Sequence, residues 1–213
     1  MRWKTSDNGL LGAIAEGEHQ CQDFKYKVTD AVKLAKSVSA FANTDGGRLL
    51  IGVRDDGHLS GVRSEEEIFM MRKAGEECCR PAVNIAFTTF REEGRTIVMA
   101  EVPVAPRKPV RAICDDGKWR AFIRVSDENI VASPVHLRIW MAECSPRGTL
   151  LSVDAQERAV MQALDGAGGL TLRQVVRRSG VARPVVVGIL AHLVRFGLAT
   201  CQLSGGEFLF EGR

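Results

Sequence analysis

Val38–Gly57 reads VSAFANTDGGRLLIGVRDDG, and the fold is decided in these residues. Ala31, Leu34, Ala35, Val38, Phe41 and Ala42 recur at helical spacing, which predicts an amphipathic helix leading into the segment. Asn43-Thr44-Asp45-Gly46-Gly47 predicts its stop, because glycine accepts the left-handed backbone that ends a helix. Leu49, Leu50, Ile51 and Val53 then form a nearly unbroken apolar run, the pattern of a strand buried on both faces. Asp55-Asp56-Gly57 predicts a turn where that strand ends.

Upstream, Cys21–Val28 alternates Phe24, Tyr26 and Val28 against Asp23, Lys25 and Lys27, the period of a strand. Thr29 or Asp30 can cap the helix that follows. Residues 13–18 are weakly helical or a loop. Downstream, His58–Val62 reads as a short return strand, and Ser64 with Glu67 as a capping box opening a helix that runs to about Cys79, before Pro81. Val83–Phe90 pairs naturally with Thr96–Val102 through a Glu-Glu-Gly turn. Val110–Cys114 pairs with Trp119–Val125 through Asp115-Asp116-Gly117. A further helix spans about Val135–Glu143. Cys144–Ser152 has linker composition.

Beyond it the pattern changes. Asp154 caps a helix through Leu164, a short helix ends at Ser179-Gly180, Pro184–Phe196 forms another, and residues 197–210 form a hairpin tipped by Gly205-Gly206. That order predicts a winged helix-turn-helix. The expected architecture is α+β: a mixed β-sheet with flanking helices over residues 1–143, then the winged helix over 153–213.

Composition bounds the function. The chain has 213 residues, 45% hydrophobic and 26% charged, with a net charge of +3, so it is globular and mildly basic. The N-terminus lacks a signal-length apolar core and no segment reaches membrane-span length, so the expected location is cytoplasmic, with no membrane partner. The cysteines Cys21, Cys78, Cys79, Cys114, Cys144 and Cys201 show neither C-x-x-C nor cysteine-histidine spacing, which points to buried thiols rather than zinc. No G-x-x-x-x-G-K-[ST] pattern exists for a Walker-type site.

Cations set the binding expectation. In the first domain, Lys25 and Lys27 share one strand face, Arg120 and Arg124 share another with Phe122 between them, and Lys108 lies in the connection before them. In the winged helix, Arg173, Arg177 and Arg178 lie on the helix before the recognition helix, which starts at Arg183. Such cations gain affinity by releasing counterions from phosphate. The recognition helix, RPVVVGILAHLVRF, is apolar, so a protein-docking or dimerising role through it stands beside DNA reading.

Several motifs together resemble the Schlafen AlbA-like domain over roughly residues 15–135. They are Glu18, Asp23-Phe24-Lys25, Ala40–Gly47, Ile51-Gly-Val53, Asp55-Asp-Gly57, Lys108-Pro109 and Phe122-Ile-Arg124 with Ser126. The resemblance implies a DNA-binding bacterial transcription regulator, DNA being favoured over RNA. It also implies an alternative, since some Schlafens cut RNA with two glutamates and an aspartate around a metal ion. Those positions fall on Glu18, Asp23 and Asp55 or its neighbour Asp56, and a site made from them would take Mg²⁺ or Mn²⁺. This chain departs from the pattern with Asp23 in place of a glutamate and Arg54 in place of an aspartate. Otherwise no cofactor is expected. Two lobes enclose nucleic acid in eukaryotic Schlafens, and one such lobe here implies a homodimer.

Overall fold

The computed structural model describes residues 9–143 and 154–213, which fall into two compact units dividing between Val131 and Ala132. In the first unit the elements run α1 (Gly9–Ala15), β1 (Gln22–Lys25), α2 (Ala31–Asn43), β2 (Gly47–Ile51), α3 (Ser64–Glu76), β3 (Cys79–Arg80), β4 (Ala86–Glu92), β5 (Arg95–Val102), β6 (Arg111–Ile113), β7 (Trp119–Val125) and β8 (Glu128–Val131). The first sheet has the order β1-β2-β5-β4, with β1 parallel to β2 and the other pairs antiparallel. The second is antiparallel, in the order β3-β6-β7-β8.

The apolar run of β2 is explained by cover on both faces. Leu49 and Ile51 belong to the core built around α2, while Leu50 joins Leu10, Ala13, Phe24 and Ile97 on the opposite face beneath α1. All three β2 side chains are fully buried, each worth roughly 1.5–3 kcal/mol. α2 opens as expected, with Asp30 accepting from the Val32 and Lys33 N–H groups. It closes through Gly46, whose φ of +73° lets its N–H reach Phe41 O at 2.9 Å. Gly47 is required for a different reason: a Cβ there would stand 2.4 Å from the Phe41 ring.

Some local expectations change. β1 stops at Lys25, so Lys27 lies outside it, and the 58–62 return strand reduces to a single bridge between Val53 and Leu59. The Ser64–Glu67 capping box does not form. Arg63 is the N-cap residue of α3, it makes no side-chain cap bond, and Glu67 is buried one turn in.

The second unit runs α4 (Pro134–Glu143), α5 (Ala155–Leu164), β9 (Leu170–Thr171), α6 (Leu172–Ser179), α7 (Arg183–Arg195), β10 (Ala199–Ser204) and β11 (Glu207–Gly212). Its sheet has the order β10-β11-β9. Asp154 and Glu157 make a capping box on α5, and Gly180 ends α6 with a φ of +67°. α4, expected in the first domain, packs instead against α7 and places Val135 in the same core as Val175, Leu190 and Phe210. The proposed linker 144–152 lies outside the described residues.

Candidate nucleic-acid interface

In the first unit, most of the ionisable side chains marked as site candidates are turned on one another. β1 points Phe24 into one core and Asp23 to the other side, where β7 brings Arg124. Arg124 is only 2% exposed. Its Nη2 lies 3.5 Å from Asp23 Oδ1 and donates to Gln22 O at 3.2 Å, while its Nη1 donates to Asn129 Oδ1 at 3.1 Å. The guanidinium also stands 5.0 Å from the centre of the Phe41 ring. Arg124 is therefore an internal tie, not a phosphate contact. The reason is register: β7 packs Phe122 and Arg124 inward on α2, which leaves only Arg120 of the expected cationic stripe at the surface.

Lys25 Nζ lies 2.7 Å from Asp23 Oδ2 and donates to Phe24 O. Arg120 grips Asp116 through both terminal nitrogens, at 3.0 and 2.6 Å. That grip holds the Asp116 carboxyl down at about 2. Lys108 is half-buried and donates to Thr44 O at 3.3 Å. Lys27 is exposed and, among the described residues, has no such tie.

The acidic trio does not converge. Glu18 Oε1 accepts from the Phe24 N–H at 2.8 Å, and burial, with Asp23 beside it, raises its pKa. Asp23 is spent on Arg124 and Lys25. Asp55 is exposed in the turn after β2, next to Arg54 and Tyr26. Among the described residues no group of three or more His, Cys, Asp or Glu side chains is arranged to hold a metal ion, and Glu18, Asp23 and Asp55, the positions expected to take Mg²⁺ or Mn²⁺, are not gathered into one. Asp56 folds back on its own turn, accepting from the His58 N–H at 3.0 Å.

The sequence reading missed the structural polar network around these residues. Asn43 is buried and donates to Val110 O and Phe122 O while accepting from the Val110 N–H, tying α2 to the second sheet. Arg48, at 9% exposure, pairs with Glu16 at 2.5 Å and donates to Gln22. A charged residue inside the apolar run at 47–53 was the available signal.

The second unit contrasts. α6 buries Val175 and leaves Arg173, Arg177 and Arg178 exposed, and Arg183 opens α7 exposed. Among the described residues none of these four is ion-paired. Arg173 and Arg183 both border a cleft of about 270 Å³ with the wing residues Gly206 and Glu207. The apolar α7 is explained from within: Val186, Ile189, Leu190, Ala191 and Leu193 are buried in its own core, and Ile139 of α4 packs on that core. Among the described residues no helix is long and apolar enough to cross a membrane.

Two family models match the chain, Schlafen, AlbA_2 over residues 18–133 and the IclR helix-turn-helix domain over residues 159–201. No curated protein matches. Among solved structures, the DIP2311 protein from Corynebacterium diphtheriae is 19% identical with a TM-score of 0.48, over 89% of this chain and 34% of that one. The chain thus spans about a third of that protein.

Proposed function

This chain belongs to the Schlafen AlbA_2 family, and from that membership joined to a helix-turn-helix domain we propose that it binds duplex DNA as a transcription regulator. One observation carries the reading: Arg173, Arg177, Arg178 and Arg183 are exposed on the two helices of the helix-turn-helix and, among the described residues, have no ion pair. Unpaired cations on one element release counterions from a polyanion, whereas paired ones must first give up a partner. α7 keeps its middle for its own core, so its first turn, at Arg183, is the part offered to base edges in the major groove. A pair of copies would read two half-sites about one helical turn apart.

Fluorescence anisotropy on duplexes selected from a random library tests this. Arg183→Ala is expected to weaken the selected duplex by about 1–3 kcal/mol while leaving non-specific duplex nearly unchanged. Preference for an RNA duplex over every selected DNA, or equal loss on specific and random DNA, would overturn it.

A further inference from the structure

A cleft of about 590 Å³ opens in the first unit, between the end of β1, the segment before α3 and the start of β5. It has three properties that point to one kind of ligand. Glu67 lines it, is only 2% exposed, and among the described residues its buried Oε2 has no hydrogen-bond partner. A carboxyl oxygen sealed from water without a donor is unfavourable, and a bound N–H would satisfy it. Burial accordingly raises the Glu67 pKa, with Glu66 adding to the rise and Lys27 and Arg63 opposing it.

The second property is the cations. Lys27, Arg63 and Arg95 border the cleft beside Glu66 and Glu67; Arg63 lies 3.6 Å from Glu66 in an exposed pair that costs little to open, and among the described residues Lys27 has no ion pair. The third is Tyr26, 55% exposed at the same cleft, with the Arg54 guanidinium 5.1 Å from its ring centre. Such a ring offers a stacking face.

An inorganic anion satisfies the cations and leaves Glu67 unpaired. An amine satisfies Glu67 and leaves the cations unused. A flat ring with N–H donors at one end and a phosphate at the other meets all three. We propose that this cleft binds a free mononucleotide, with Glu67 accepting from a base N–H, Tyr26 stacking on the base, and Lys27 holding the phosphate, joined by Arg63 as it leaves Glu66. The site does not depend on the DNA reading of the second unit.

Calorimetric titration of the full chain with the common nucleoside monophosphates, ribose 5-phosphate and inorganic phosphate tests it. At least one monophosphate is expected to bind about tenfold or more tightly than ribose 5-phosphate and phosphate, as one hydrogen bond to a charged group implies. Glu67→Gln should lose about tenfold. Since Glu67 is buried, the surface variants Lys27→Ala and Tyr26→Ala give a second reading, and each should weaken binding too. The double variant Arg177→Ala/Arg183→Ala should leave nucleotide affinity unchanged, which separates this site from DNA binding. The proposal is overturned if no monophosphate binds, if ribose 5-phosphate or phosphate binds equally well, if the Lys27 and Tyr26 variants bind like wild type, or if a single strand binds more tightly than any mononucleotide.

Discussion

Arg124 and Arg177 are the same side chain put to opposite uses. Arg124 lies inside the first unit, held by Asp23, Gln22 and Asn129, while Arg177 stands on the open face of α6 with no ion pair among the described residues. A buried guanidinium among acceptors satisfies charges that are already desolvated, and its burial keeps it from a ligand. An exposed unpaired one contributes little to stability and is available to phosphate. Partners, rather than residue type or position in a motif, separate the tied cations from the available ones here.

The largest expected effect follows from that contrast. Arg124→Ala leaves the buried Asp23 with only the part-exposed Lys25 as a cation and strips Gln22 O and Asn129 Oδ1 of their donor, and it should destabilise the first unit by about 3–5 kcal/mol, read from its denaturation midpoint. A loss below about 1 kcal/mol would mean the tie is not the structural element described. Next, Asn43→Ala removes a cross-link between α2 and the second sheet, taking the acceptor from the Val110 N–H and a donor from Phe122 O while Val110 O keeps Ser39 Oγ; a loss on the order of 2–3 kcal/mol is expected in the same assay.

The second unit supplies its own titration. Burial pushes His136 down to about 4, beside Ser133 and the Phe208 ring. Its folded pKa lies below the unfolded value of about 6.5, so the unfolded chain takes up the proton first. The stability this histidine contributes is therefore complete above about pH 6.5 and is lost as the pH falls towards 4, by roughly 2 kcal/mol after allowing for partial exposure. His136→Gln should flatten that stretch of the stability–pH curve, and an unchanged slope would assign the acid loss elsewhere.

The smallest effect sharpens the comparison from the other side. Arg120 and Asp116 form a two-pronged but exposed pair, so Arg120→Ala should cost under about 1 kcal/mol and leave DNA affinity unmoved. A clear fall in DNA affinity would return β7 to the interface.

The sequence carried the backbone better than the chemistry. The glycine stop, the buried β2 and the order of the winged helix were legible because each rests on local rules: a left-handed turn, a continuous apolar run, capping residues before helical periods. α4 was placed in the wrong unit because its affiliation rests on Val135 meeting the core of α7, a contact between residues far apart in sequence. The apolar α7 suggested docking for the same reason, since the helix that packs against it was counted elsewhere. Arg124 and Asp23 were read as surface and catalytic groups because strand alternation gives a face but not what packs on it. Glu67 was read as a helix cap, when the chain instead buries it at the edge of a cleft.

The most direct measurement is the salt dependence of duplex-DNA affinity for two double variants, Arg177→Gln/Arg178→Gln and Lys25→Gln/Arg120→Gln. If free cations on the second unit form the interface, the first pair should reduce the slope of log K against log salt by about 2, and the second should leave it at the wild-type value. The reverse result, a slope lowered by the β1 and β7 pair and untouched by the α6 pair, would contradict the account.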